Sequence, residues 1–109
     1  MAYDEGLAQR IRELFEREEG LTERKMFGGL AFMIYGNMCS GVVGDALMLR
    51  LGPEGHDDAL RQPHARPMDF TGRPLKGMAY VDPPGIESDG DLEAWLGRAL
   101  GFVHSLPMK

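Results

Sequence analysis

Residues 30–51, with the sequence LAFMIYGNMCSGVVGDALMLRL, decide the fold. Two turn signals, Gly-Asn and Gly-Asp, divide this stretch into three largely apolar segments, at residues 30–35, 38–43 and 46–51. Turns this short join antiparallel strands, because parallel strands need a long crossover connection. The stretch therefore predicts an antiparallel meander of three strands.

Helical periodicity is found on both sides of this meander. Residues 4–19 place four apolar residues at spacings of four, three and one, which predicts one helical stripe, and Gly20 is the expected C-cap. A proline favours the start of a short helix over residues 53–62, and a last helix is predicted to begin at Ser88 or Asp89. The residues of the last helix that we expect to be buried are Leu92, Trp95, Leu96, Ala99, Leu100 and Val103.

The chain between the second and third helices is rich in proline. Residues 62–74 contain three prolines and are predicted to be an extended loop, with a brief edge strand around residues 68–70. Residues 75–82 predict a further strand. Because strands follow one another instead of alternating with helices, the class is α+β. We expect one domain over residues 1–109, with two layers and an antiparallel sheet of four to five strands. The expected order is helix, three-strand meander, helix, one or two strands, helix.

The composition excludes several classes of protein. The 109 residues are 43% hydrophobic and 27% charged, which is typical of a globular domain and not of a disordered or fibrous chain. No apolar stretch approaches the ~20 residues of a membrane helix, and the charged N-terminus is not a signal peptide. A lone Cys39 fits a reducing compartment, so we expect a cytoplasmic protein without a membrane partner. Eight methionines are many for this length, and their strand positions favour core packing over the alternative of an adaptable binding surface.

Charge is distributed unevenly along the chain. The net charge is −5, with −4 over residues 1–23, +2 over residues 24–80 and −3 over residues 81–109. Nucleic-acid domains usually have a strongly basic face, so we expect no direct sequence-specific binding of DNA. An acidic partner could still bind a candidate interaction face, for which scattered surface charge is the alternative interpretation. The candidate residues of this face are Arg24, Lys25, Arg66, Arg73 and Lys76.

No combination of residues indicates catalysis or metal binding. Gly28-Gly29 lacks the lysine and hydroxyl residue of a phosphate loop, and it predicts a bend that needs positive φ or close packing. His56 and Asp57 are adjacent on the predicted second helix, so their side chains diverge instead of sharing a metal ion. Cys39 has no histidine beside it in sequence that would activate the thiol. We therefore expect no catalytic residue, no metal and no cofactor.

The six residues that precede the meander carry a family resemblance. The sequence RKMFGG at residues 24–29, which follows an amphipathic helix, resembles the R-x-M-F-G-G element of the N-terminal domain of TfoX/Sxy-type proteins. The segments LAFMIYGNMCSGVV, ALMLRL, LKGMAYVDPP and DLEAWLGRALGFV follow in the order found in that family. The likeness covers roughly residues 5–105. Its structural motif here is Met26, Phe27, Gly28 and Gly29.

This resemblance implies a fold and a function. Proteins of the family include regulators of natural competence, thought to act with the cyclic-AMP receptor protein at competence promoters. The resemblance implies a two-layer α+β domain in a bacterial protein that is not an enzyme and binds no cofactor. It would be an interaction module in transcriptional regulation, with a DNA-binding transcription factor of the cyclic-AMP receptor protein type as the candidate partner and a homodimer left open. The alternative is a small anion- or nucleotide-binding domain that uses an Arg/Lys-bearing sheet face.

Overall fold

The structure, a computed structural model, describes residues 3–26, 28–70 and 73–107, and of residues 69, 70 and 73–76 it describes the backbone alone. Among the described residues are six strands and three α-helices, and a 3-10 turn over Pro83–Gly85 joins the last strand to the last helix. The helices are α1 (Glu5–Leu14), α2 (Gly52–Leu60) and α3 (Asp89–Val103). The strands are β1 (Leu21–Met26), β2 (Gly29–Ile34), β3 (Asn37–Val43), β4 (Ala46–Arg50), β5 (Ala65–Phe70) and β6 (Arg73–Val81).

The strands form one antiparallel sheet in the order β1-β2-β3-β4-β6-β5. The predicted α+β class is confirmed, and β2, β3 and β4 are the predicted meander. The sheet has six strands instead of the four to five that the sequence predicts. The strand without a predicted counterpart is β1, which lies at an edge, where the apolar pattern used to recognise strands is weakest.

Strand β1 is the element that the sequence pattern does not reveal. The predicted first helix runs to residue 19, whereas α1 ends at Leu14 with Phe15 as its C-cap, so Gly20 is not the cap. Gly20 instead has a φ of +74° in the turn that leads into β1, and its carbonyl accepts a hydrogen bond from the Tyr35 backbone N–H at 3.0 Å. The four central side chains of β1 are exposed, because an edge strand here buries neither face. Without alternation between buried and exposed positions, the segment gives no period-2 signal.

The proline-rich segment forms strands and not the predicted loop. Residues 65–70 form β5 and residues 73–81 form β6, so the brief edge strand expected at residues 68–70 is the end of a longer one. Pro67 fits because β5 is an edge strand, where a missing N–H need not break the sheet. The pairing of β5 with β6 is irregular between Pro67 and Asp69, which is a second departure from a regular strand.

The sheet has two buried faces. One, the helix face, packs against all three helices in a single cluster that includes Phe32, Leu47 and Leu49 from the strands. Trp95 of α3 lies in this cluster with 8% exposure, as the sequence predicts. The other, the methionine face, is a separate cluster of strand residues. Its members are Ala31, Met33, Ala46, Met48, Met68, Met78 and Tyr80, with Met26, Met38 and Val43 partly buried against them.

Candidate interaction surface

The Met-Phe-Gly-Gly element makes the turn between β1 and β2. Met26 ends β1 and packs partly buried against the methionine face, and Phe27 lies outside the described residues. Gly28 has a φ of +74° and faces open space, so it supplies the left-handed backbone conformation that other residues avoid. Gly29 begins β2, where a Cβ atom would overlap the main-chain carbonyl of Val42. The sequence predicts a bend that needs positive φ or close packing. Gly28 provides the positive φ, and Gly29 allows the close approach of the two strands.

The three candidate cations whose side chains the structure describes, Arg24, Lys25 and Arg66, do not form one cluster. Strand pairing aligns one transverse row of the sheet, made of Arg24, Ala31, Gly41, Met48, Tyr80 and Arg66. Arg24 and Arg66 therefore lie on the methionine side, but at opposite edges, five strand spacings or about 24 Å apart along the sheet. Lys25 is paired with Leu30 and so belongs to the helix side. Arg73 and Lys76 lie in β6, and their side chains are outside the description.

Arg66 is engaged with its neighbours at the β5 edge. Its Nε lies 3.0 Å and 3.1 Å from the two carboxylate oxygens of Asp82. Its guanidinium carbon lies 4.6 Å from the centroid of the Tyr80 ring, which is a cation–π contact. The positive charge of Arg66 is therefore compensated within the molecule.

At the β1 edge the one acidic residue is paired within the described chain, and the two basic residues are not. Arg12 of α1 donates from Nε and Nη2 to the carboxylate of Glu23, at 2.7 Å and 2.8 Å. The hydrogen bond from Arg12 holds the pKa of Glu23 below its usual range, and the same bond raises the pKa of Arg12. Arg24 and Lys25 are exposed and form no ion pair within the part of the chain that the structure describes. With Glu23 neutralised by Arg12, β1 presents two positive charges to solvent.

The two edges also differ in their main-chain hydrogen bonding. Strand β1 pairs with β2 in unbroken register from Leu21↔Ile34 to Met26↔Gly29, and over residues 3–26, 28–70 and 73–107 it pairs with no other strand. Alternate N–H and C=O groups on its outer side therefore point away from the sheet. On β5 this pattern is interrupted by Pro67 and the adjoining irregularity. Among the cations whose side chains the structure describes, Arg24 and Lys25 on the regular β1 edge have no acidic partner, whereas Arg66 at the other edge has one.

A surface groove of about 450 Å³ lies between the loop after α2, the 3-10 turn and α3. Its principal polar group, Arg98, stacks on Trp95 with 4.9 Å to the ring centroid and is 2.9 Å from a carboxylate oxygen of Asp58. His64, which has a φ of +69°, and Asp91 also line the groove. The sequence did not single out this groove, and its main cation is already paired.

Cys39 and the His, Cys, Asp and Glu side chains are the remaining chemical candidates. Burial raises the pKa of Cys39 to about 12, so its thiol stays protonated near neutral pH. Among the described residues no three His, Cys, Asp or Glu side chains form a group that could hold a metal ion. No helix of the described chain combines the length and the apolar character that crossing a bilayer requires.

The sequence analysis does not predict β1 as a strand, although it names Arg24 and Lys25 as candidate residues. The flanking glycines are the one feature of the sequence that indicates this strand. Gly20 and Gly28 enclose a segment of seven residues that begins with Leu-Thr, and a stretch of this length between two glycines is compatible with a strand. The ion pair between Arg12 and Glu23 had no such signal, because it depends on how α1 crosses the sheet.

The structure defines a two-layer α+β domain with an open antiparallel sheet. Comparison with protein families gives a match to the TfoX N-terminal domain over residues 13–103, which span part of α1, all six strands, α2 and α3. The chain belongs to this family, as its sequence motif predicts. No curated protein and no solved structure matches the chain.

Proposed function

We propose that this chain is a non-enzymatic cytoplasmic interaction module that acts in transcriptional regulation through contacts with another protein. The observation that carries the proposal is the β1 edge, where a regular strand presents Arg24 and Lys25 beside outward-facing main-chain groups. Membership of the TfoX N-terminal domain family supports the regulatory setting. The partner in this proposal is a DNA-binding transcription factor of the cyclic-AMP receptor protein type.

The charge distribution favours a protein partner over DNA. Residues 1–23 carry a charge of −4 and residues 81–109 carry −3, and these segments include α1 and α3. Acidic helices near a duplex would be repelled by phosphates at distances within the ~8 Å over which salt leaves charges unscreened. Two cations on β1 can neutralise few phosphates, and phosphate contacts supply most non-specific affinity. Sequence-specific contact with the promoter is therefore assigned to the partner.

Fluorescence anisotropy of a labelled promoter duplex, with a scrambled duplex as control, tests this function at ~150 mM salt. The chain alone should give no sequence-dependent binding. Added to a purified factor of the cyclic-AMP receptor protein type on the promoter, it should raise the anisotropy further. Sub-micromolar, sequence-dependent binding by the chain alone would contradict the proposal, and so would a factor–promoter complex that the chain leaves unchanged.

A further inference from the structure

The β1 edge combines a regular hydrogen-bonding pattern with charges on both faces of one strand. We propose that β1 binds an extended acidic segment of its partner as a seventh, antiparallel strand of the sheet, in which two adjacent acidic residues lie opposite Arg24 and Lys25. The inference rests on the proposed protein-contact function and names the chemistry of the segment that is recognised.

The main chain supplies the first part of the recognition. The six residues of β1 keep one register with β2, so about three of them direct both N–H and C=O to the outer side. An added strand would satisfy these groups with hydrogen bonds, as in other cases of strand addition to a sheet edge. Every strand pair in this sheet is antiparallel, which makes the antiparallel orientation the natural continuation.

The side chains supply the specificity. Arg24 lies on the methionine side and Lys25 on the helix side, so two acidic residues that meet them must be neighbours in the partner. Met26 is partly buried against the methionine face and favours an apolar residue opposite it. Glu23 is already held by Arg12 and favours a neutral one. The partner segment should therefore run apolar, acidic, acidic, neutral polar from its N-terminal end.

A second copy of the chain fits this edge less well. In an antiparallel pair, residues directly opposite each other point to the same face of the sheet. When two copies of β1 pair around a two-fold axis, the residue at the axis therefore lies opposite its own copy. Centring the pair on Glu23, on Arg24 or on Lys25 places that charge opposite its own copy in each case. The Arg24-centred pair also places Glu23 opposite Lys25 of the other copy, but this Glu23 carboxylate is already paired with Arg12. Like charges directly opposite each other destabilise strand pairing. The charges of β1 thus favour a different, acidic segment over a homodimer.

Arg66 provides a matched control for Arg24. It lies in the same transverse row of the same face at the other edge, where Pro67 and the irregular pairing interrupt the main-chain pattern. Charge reversal at Arg66 changes the net charge of the protein as much as charge reversal at Arg24. A loss of binding specific to Arg24 and Lys25 therefore reports the β1 edge and not the overall charge.

The test uses the full chain and a fluorescein-labelled peptide, Thr-Val-Ile-Glu-Glu-Thr-Val-Thr, followed by anisotropy. We expect saturable binding that weakens with salt, and roughly tenfold weaker binding of the same peptide with Lys-Lys at its centre. Two further Glu-Glu peptides carry N-methyl groups on alternate residues, one on each edge of the strand. The isomer methylated on the edge that faces β1 should lose binding and the other should keep it, because an N-methyl group removes the donor.

The protein variants complete the design. Arg24→Glu combined with Lys25→Glu should weaken peptide binding roughly tenfold or more. Arg24→Glu alone should weaken it about threefold or more, and Arg66→Glu, which changes the net charge by the same amount as Arg24→Glu, should leave it unchanged. If circular dichroism shows that the double variant does not fold, Arg24→Gln and Lys25→Gln take its place, each with an expected loss of about threefold. Equal binding of the two N-methyl isomers, an equal loss with Arg66→Glu, or no binding of the Glu-Glu peptide would overturn the inference. A dimer found by sedimentation and abolished by Arg24→Glu would also overturn it, because the second copy would then occupy the edge.

Failure of this inference can be separated from failure of the proposed function. If the transcription factor binds the chain, and binds the variants at Arg24 and Lys25 with the same affinity, the inference is wrong and the function stands. If the N-methyl isomers differ as expected while the factor does not bind, β1 accepts acidic strands and the proposed regulatory partner is wrong.

Discussion

The two faces of the sheet are both buried, yet they are built from different side chains. The helix-face cluster contains leucine, isoleucine, valine and aromatic residues and none of the described methionines. All six described methionines belong to the methionine face, four of them in its buried cluster and two partly buried against it. The described methionines are Met26, Met33, Met38, Met48, Met68 and Met78.

The two faces differ in side-chain type because the strand surface beneath the methionine face is irregular. Pairing shifts register between Phe32 and Met33 and again between Pro67 and Asp69, and at both places a methionine, Met33 or Met68, faces the methionine cluster. Such irregularities bend a strand and leave an uneven surface. An unbranched thioether side chain with three rotatable bonds adapts to such a surface, whereas branched side chains with few rotamers fit regular helix packing. We infer that the helix face fixes the arrangement of the helices and that the methionine face tolerates change.

Truncation of neighbouring residues on β4 should separate the two faces most strongly. Leu49 and Met48 are adjacent and fully buried, on the helix face and the methionine face respectively. Leu49→Ala should lower the free energy of unfolding by about 3–5 kcal/mol, because the helices above it cannot close the cavity. Met48→Ala should cost about 2–3 kcal/mol, because neighbouring thioethers can move into the space. Urea denaturation of both variants measures the two values.

Equal losses, or a larger loss for Met48→Ala, would contradict the proposed contrast. The control for cooperativity is the urea m-value, which should be the same in the two variants if only native-state packing differs.

A glycine tests how far the tolerance of the methionine face extends. Gly41 is opposite Met48, and a Cβ atom there would overlap the Leu30 main-chain carbonyl and lie 2.7 Å from the terminal methyl of Met48. Gly41→Ala should cost about 1–3 kcal/mol, since Met48 can move but the backbone of β2 cannot move without disturbing its pairing. Thermal denaturation monitored by circular dichroism measures the loss. A cost below about 0.5 kcal/mol would show that the backbone is as adaptable as the side chains.

The elements predicted from the sequence are those whose buried residues repeat at regular spacing. The meander and the apolar stripe of α3, including Trp95, repeat buried positions at strand or helix spacing, and these elements were predicted. The edges β1 and β5 carry exposed charges and a proline, so no such repetition marks them. The five candidate cations were chosen because they are basic, but which edge and face each occupies depends on the order of the strands. That order is set by long-range pairing, which composition and local spacing do not encode.

Exchange of the two side-chain types is a gentler test of the same contrast. Met48→Leu and Leu49→Met conserve volume, so each should cost less than about 1.5 kcal/mol. Leu49→Met should be the more harmful, because the helix face then gains a flexible side chain where a branched one packs. Differential scanning calorimetry of the two variants and the double exchange measures the order. If Met48→Leu were the more harmful, the methionine face would be the more specific of the two.

The smallest expected effect concerns the ion pair that joins α1 to β1 at the rim of the helix face. The hydrogen bond from Arg12 lowers the pKa of Glu23 in the folded protein, so the pair stabilises the fold above the ordinary glutamate pKa of about 4.3. That stability is lost as the pH falls from about 5 through the lowered pKa, because the protonated carboxyl no longer pairs with the guanidinium. The two side chains are 38% and 34% exposed, so solvent screening limits the contribution to at most about 1 kcal/mol. A double-mutant cycle of Arg12→Gln and Glu23→Gln, with urea denaturation at about pH 7 and about pH 3, measures the coupling directly. The coupling should be present at the higher pH and reduced at the lower one. A coupling free energy that is the same at both pH values would show that the contact between Arg12 and Glu23 stabilises the fold by packing and not by charge. The contact would then be as independent of pH as the apolar cluster of the helix face.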